Sequence, residues 1–295
     1  MKPEPLHVPL PDGDLHALRW GTGEQSILAL HGTTGSAVSW QTVARSLPED
    51  WSLTALDIRG RGASNGLPGP YGLSQHVGDV LAAVRHLGGS RPVLTGHSLG
   101  GYIALLAAAE QPALFERLVL VDGGLPLPVP EYTDPDAATE AILGPALTRL
   151  RQTFRTPEDY LDFWRAHPAF TDNWSEGLED YIRYDLVGEP GALRSRVIEE
   201  AVRVDGRDLL IADDRFGKAL LGLGLPTLLL HAPQGMFGAP PGLLPAEVVA
   251  AWQQRAPRLQ TELVPGTNHY TLLFDPEAAV VVASRLTEPA DSQLR

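Results

Sequence analysis

Apolar residues in this chain fall in short unbroken runs separated by stretches with a helical period. Ile27-Leu28-Ala29-Leu30, residues 53–56, Leu118-Val119-Leu120-Val121 and Thr227-Leu228-Leu229-Leu230 lack the polar alternation of a half-exposed strand, so each reads as a strand buried on both faces. Residues 91–95 and 259–264 read as strands as well. Between them the spacing changes to three and four: Val77, Val80, Leu81, Val84 and Leu87 lay one stripe along a helix over 74–87. Residues 102–109 are strong helix formers, and 40–47, 245–255 and 276–286 complete the helical set. At the start, 6–10 and 15–20 flank the turn signal Pro11-Asp12-Gly13-Asp14, which predicts a β-hairpin. Buried strands alternating with helices predict an α/β fold, a parallel sheet covered on both faces.

The alternation breaks after Asp122. Residues 125–217 are richer in proline, acid and aromatic side chains, with helical stretches at 137–154 and 157–167, and the sheet pattern resumes only at Thr227. This predicts a core in two parts, 1–124 and 218–295, with a helical cap at 125–217 inserted after the sixth strand. Residues after Thr287 read as a frayed tail.

Composition narrows the chemistry. With 295 residues the chain has ample length for a buried core, and 43% hydrophobic with 20% charged residues fits an ordinary globular protein. No apolar run reaches the roughly 18 residues of a membrane span, and Met1-Lys2-Pro3-Glu4-Pro5 lacks the apolar core of a secretory signal, so a cytoplasmic protein is expected. Cysteine is absent, which excludes disulfides, a thiol nucleophile and thiolate metal sites. A formal charge of -13 repels nucleic acid and anionic membranes, and neither is expected as a partner; the sequence leaves the oligomeric state open. No H-E-x-x-H or comparable spacing occurs, so neither a metal nor an organic cofactor is expected. Asp57-Ile58-Arg59-Gly60-Arg61-Gly62 lacks the lysine of a phosphate-binding loop and reads as a structural turn.

The candidate chemistry centres on Gly96-His97-Ser98-Leu99-Gly100. A G-x-S-x-G pentapeptide between an apolar strand and an apolar helix presents a serine on a sharp turn, where small glycines allow a strained backbone and the helix N-terminus adds positive potential. A serine hydroxyl is a poor nucleophile near neutral pH and needs an imidazole to take its proton. Of nine histidines, His269 in Gly266-Thr267-Asn268-His269-Tyr270 is the best placed, in the loop between the last predicted strand and the last helix. His97 is expected to pack under the turn, and His31 to brace the Gly-rich loop His31-Gly32-Thr33-Thr34-Gly35-Ser36 by hydrogen bonding.

With these motifs the chain resembles the α/β-hydrolase superfamily, and within it the capped serine esterases common in bacterial genomes. The resemblance spans nearly the whole length and rests on His31-Gly32 after the third strand, residues 57–64 after the fourth, 96–100 after the fifth and Asn268-His269 after the eighth. It implies an eight-stranded, mostly parallel sheet, a serine, acid and histidine triad, and an oxyanion hole whose backbone N–H donors would be Thr33 and Leu99. The family's commonest pattern places the acid after the seventh strand, but residues 231–242 contain none. Some members carry it after the sixth strand, where Asp122 stands here; Glu247 is the reserve. A serine rather than an aspartate at the elbow points to acyl transfer on a small-molecule carboxylic ester or a lactone. A carbon–carbon bond hydrolase with the same triad, and a hydrolase-like protein that only binds ligand, remain the alternatives. Trp40, Trp164, Met236, Phe237 and Tyr270 are candidates to line an apolar substrate pocket between core and cap.

Overall fold

A computed structural model describes residues 1–127, 134–211 and 214–289. Eight strands form one sheet: β1 (Glu4–Leu10), β2 (Gly13–Trp20), β3 (Gln25–Leu30), β4 (Trp51–Leu56), β5 (Val93–His97), β6 (Leu118–Val121), then β9 (Thr227–His231) and β10 (Leu259–Leu263). The intervening β7 (Leu186–Val187) and β8 (Arg194–Ser195) make a separate antiparallel pair. Strand order in the large sheet is β1-β2-β4-β3-β5-β6-β9-β10. The β1–β2 hairpin and the β2–β4 pair are antiparallel, and every other pairing is parallel. The mostly parallel eight-stranded sheet implied by the sequence is the one the chain forms.

The unbroken apolar runs are explained by the two cores they feed. Ile27 and Ala29 of β3, Val119 and Val121 of β6, and Leu228 and Leu230 of β9 enter the core on one face. Their neighbours Leu28, Leu30, Leu118, Leu120 and Leu229 enter the core on the other. Because successive strand residues point to opposite faces, a strand covered on both sides favours apolar residues at every position. The helix Leu73–Leu87 buries Val77, Val80, Leu81 and Val84 as its spacing predicts, and ends where Gly88, at φ 61, donates its N–H to Val84 O. The helix Leu99–Glu110 is buried almost all round.

Order along the chain and order across the sheet part company at β3. Its successor β4 lies on one side and β5 on the other, so the loops leaving β3 and β5 diverge and open a crevice at the carboxyl ends of these strands. Between β6 and β9 the chain leaves the sheet for helices Pro135–Leu150, Pro157–Arg165, Glu176–Asp185, Glu199–Ile211 and Arg215–Gly222. The first stops short of the expected 154, and Phe154 bridges to Leu193 instead. Residue 217 falls inside Arg215–Gly222, whose Phe216 ring lies 4.7 Å from that of Tyr102 in the core helix. Among the described residues no helix is long and apolar enough to cross a membrane. The final helix is Pro276–Thr287, and the tail expected beyond it lies, from 290 on, outside the described residues.

Candidate active site

Ser98 is held in a backbone conformation that few residues adopt. It follows β5 directly and has φ 54 and ψ -124, a region that costs about 1–3 kcal/mol and persists only where the surroundings enforce it. The enforcement is visible. Ser98 N–H donates to Val121 O of the neighbouring strand at 3.0 Å, and Ser98 O accepts from Gly101 N at 2.9 Å as the helix begins. A Cβ on Gly96 would stand 2.1 Å from Gly100 O, so strand and helix meet too closely for any larger residue.

Asp122 leaves β6 one strand over, also at positive φ (46), a conformation for which Asp and Asn are enriched. Its side chain is fully buried. Oδ2 lies 2.6 Å from His269 Nδ1, and Oδ1 accepts from Ala232 N at 3.3 Å. An ionised carboxylate there accepts the ring N–H and leaves Nε2 as the basic nitrogen. His269 is placed by its neighbour: Asn268 Oδ1 accepts from Tyr270 N and Thr271 N at 3.0 Å each, while its Nδ2 donates to Ala169 O at 2.8 Å. His97 Nε2–H donates to His269 O at 2.7 Å, and the two rings lie 4.6 Å apart. Burial, with His269 beside it, holds His97 well below the usual imidazole range, so it stays neutral. Glu247 is exposed on the helix Ala246–Arg255 and does not join this group.

The loop after β3 forms the opposite wall. A Cβ on Gly32 would come within 3.1 Å of Ser98 Cβ and 3.6 Å of its Oγ. The loop is braced on every side. His31 Nδ1 donates to Gly32 O at 2.8 Å while its Nε2 accepts from Ile58 N at 3.1 Å, Arg61 Nε donates to Thr33 O at 2.9 Å, and Tyr181 OH donates to Thr34 O at 3.3 Å. Burial lowers His31 to about 4, consistent with a neutral ring that donates from one nitrogen and accepts at the other. Arg61 is itself fixed from the inserted helices by Asp205, 2.6 Å away with both side chains fully buried, and Asp205 also meets His76 at 3.0 Å. Leu99 follows Ser98 at the start of its helix, and Thr33 borders the same cavity as Ser98.

Gly32, Thr33, His97, Ser98 and His269 border one cavity of about 160 Å³, and side chains from between β6 and β9 line it too. Of the expected lining residues, Trp164, Met236, Phe237 and Tyr270 border the cavity. Trp40 does not: it is fully buried in the core beneath the 3-10 turn Ala37–Trp40, where a large indole fills volume rather than meeting a ligand. Arg149 was not singled out from the sequence, yet it borders the cavity too. Its signal is periodic: Thr139, Ile142, Leu143, Ala146 and Arg149 line the cavity from one helix face, so the arginine continues an otherwise apolar stripe. Among the described residues no cluster of three or more His, Asp or Glu side chains is arranged to hold a metal ion.

A doubly covered parallel sheet, a strained serine after its fifth strand and an acid–histidine pair at neighbouring strand ends define a hydrolase scaffold. The chain belongs to the alpha/beta hydrolase fold family, which it matches over residues 25–276. It is 32% identical over 324 aligned residues to a probable serine hydrolase of Drosophila melanogaster, covering 97% of this chain and 88% of that protein. A serine hydrolase-like protein of Danio rerio is 34% identical over 129 residues, 42% of this chain and only 40% of that protein's length. Among solved structures, E-2-(acetamidomethylene)succinate hydrolase superposes with a TM-score of 0.78 at 20% identity, covering 96% of this chain and 98% of that one, a likeness of fold.

Proposed function

We propose that the protein hydrolyses carboxylic esters, lactones included, through an acyl-enzyme on Ser98. One observation carries this reading: His269, hydrogen-bonded to buried Asp122 at 2.6 Å, borders the same cavity as a serine held in the left-handed region. In the first half-reaction His269 Nε2 takes the Ser98 proton as Oγ adds to the carbonyl carbon, then returns it to the departing alcohol oxygen. In the second, the same nitrogen takes a proton from water as the water oxygen attacks the acyl carbon, then gives that proton to Ser98 Oγ as the acyl–Oγ bond breaks and the acid departs. Asp122 holds the ring in the tautomer that both steps need. Charge develops on the carbonyl oxygen in each tetrahedral intermediate, and the backbone N–H groups of Thr33 and Leu99 are the proposed donors to it, each typically worth ~10²–10³ in rate.

Residues 125–217 act in this reading as a cap that shapes the acyl or alcohol pocket and excludes water, with Trp164 contributed by the cap and Met236, Phe237 and Tyr270 by core loops. Cleavage of a carbon–carbon bond would call on the same three residues. A p-nitrophenyl ester series of increasing acyl length, run beside Ser98→Ala, tests the proposal. Turnover abolished by the substitution supports it, and turnover no greater than that of Ser98→Ala on this series and on a matching series of lactones overturns it.

A further inference from the structure

Arg149 carries a charge into an otherwise apolar wall. The residue is 2% exposed, and its guanidinium is held from one end only: Nη1 donates to the Tyr160 hydroxyl and, at 2.7 Å, to Asp185 Oδ2. Asp185 has further donors of its own, since Oδ2 also accepts from Tyr160 OH at 2.5 Å and Oδ1 accepts from Ser195 Oγ at 2.9 Å. The other end, Nη2, is buried and has no hydrogen-bond partner among the described residues. A guanidinium keeps its proton in any protein environment, so it cannot escape this cost by neutralising. Burial works against the charge, but Tyr160 and Asp185 more than offset it. Trp164 lies under the guanidinium, 5.0 Å from ring centroid to Cζ, and clamps its plane.

Arg149 borders the cavity, and so does the indole packed against its guanidinium. Trp164 borders it together with Ile142, Leu143 and Ala146, three apolar side chains from Arg149's own helix. A buried cation with a vacant pair of donors, fixed at its far end and set in low-dielectric walls, is the arrangement that recognises a planar anion.

We propose that Arg149 binds a carboxylate of the substrate, so that the preferred substrates are esters bearing a second, ionised carboxyl group. This rests on the ester-hydrolase reading and narrows it. The carboxylate accepts from Nη2–H, and the apolar spacer between it and the ester lies along the wall formed by Ile142, Leu143 and Ala146.

Binding is measured first, on Ser98→Ala, which cannot turn over. Succinate, glutarate, adipate and pimelate are titrated by calorimetry against their diamides. At least one diacid is expected to bind roughly tenfold or more tightly than its diamide, the margin of a charged hydrogen bond. Equal binding throughout the series overturns the proposal without any change to the pocket. Arg149→Met in the Ser98→Ala background should remove the margin, and Arg149→Met with Asp185→Leu repeats the test with no carboxylate left unpaired. A margin that survives in either folded variant also overturns it. Turnover then separates the two readings. In the Ser98 enzyme, the ratio of kcat/KM for monomethyl adipate to that for methyl hexanoate should exceed ten and collapse in the Arg149 variants, mainly through KM. Arg149-dependent diacid binding with no ester turnover would leave the anion site standing and sink the esterase. Ester turnover with no acid preference would do the reverse.

Discussion

Replacing Asp122 by asparagine isolates the orienting role of the acid, because nearly everything else about the residue survives the change. Asparagine tolerates the φ of 46 that position 122 requires and has almost the same volume. What it lacks is a second acceptor. Asp122 accepts from both sides, from His269 Nδ1 at 2.6 Å and from Ala232 N at 3.3 Å. With the amide oxygen turned toward Ala232, the NH₂ group faces Nδ1 and requires it to be an acceptor, which puts the ring proton on Nε2, the nitrogen that must take the Ser98 proton. With the oxygen turned toward His269, the NH₂ group faces the Ala232 N–H and a buried donor goes unsatisfied, at about 1–3 kcal/mol. The first arrangement avoids that cost and is inactive. A tautomer error of this kind lowers kcat by about 10⁴, or roughly 5 kcal/mol of transition-state stabilisation. Initial rates of ester hydrolysis with an unchanged melting temperature provide the assay, with Glu247→Gln, an exposed position, expected within about twofold of the parent protein. An Asp122→Asn protein retaining more than a tenth of parental kcat would refute the assignment.

Other expectations follow from the same geometry. Gly32→Ala places a methyl group 3.1 Å from Ser98 Cβ and 3.3 Å from His97 Nδ1, so kcat should fall on the order of 10² while urea unfolding changes little; full activity would mean that the loop after β3 yields freely. Arg61→Met strands buried Asp205, and unfolding free energy should drop by about 3 kcal/mol in urea titration, a loss below 1 kcal/mol contradicting the idea that this pair ties the inserted helices to the core. Burial lowers His31 to about 4, so between pH 6.5 and 4 the unfolded chain binds a proton that the folded one refuses, and stability must decline as pH falls through that window. At about 1.4 kcal/mol per unit the decline reaches roughly 3 kcal/mol, and His31→Asn should flatten the corresponding part of a urea-midpoint profile against pH.

The sheet was legible because its strands are covered on both faces: a run such as Leu118 to Val121, which supplies both cores, has one reading. Ser98, Asp122 and His269 could be named because each sits within a residue or two of a strand end or its following loop, where topology alone brings distant positions together. The region between β6 and β9 was less transparent. Helices such as Glu176–Asp185 and Glu199–Ile211 are stabilised by packing on the core and by buried polar ties, Tyr184 OH to Asp57 Oδ2 at 2.6 Å and Arg61 to Asp205, which join positions far apart in sequence. Aromatic content predicted burial without saying against what, so Trp164 in that region and Trp40 before β4 looked alike although only Trp164 borders the cavity. Arg149 escaped notice because an arginine in a predicted helix is ordinarily on the solvated face, and only the placement of its neighbours shows that it continues a stripe that lines the cavity.

The proposed chemistry requires Ser98 to be a nucleophile activated by His269. An alkyl fluorophosphonate reacts with an activated serine hydroxyl by displacement of fluoride, leaving a stable phosphonyl ester that mass spectrometry of proteolytic peptides can locate. One adduct per chain is predicted, on the peptide containing Ser98, absent from Ser98→Ala and strongly diminished in His269→Ala. No adduct on the folded protein, or an adduct that persists in Ser98→Ala, would contradict it.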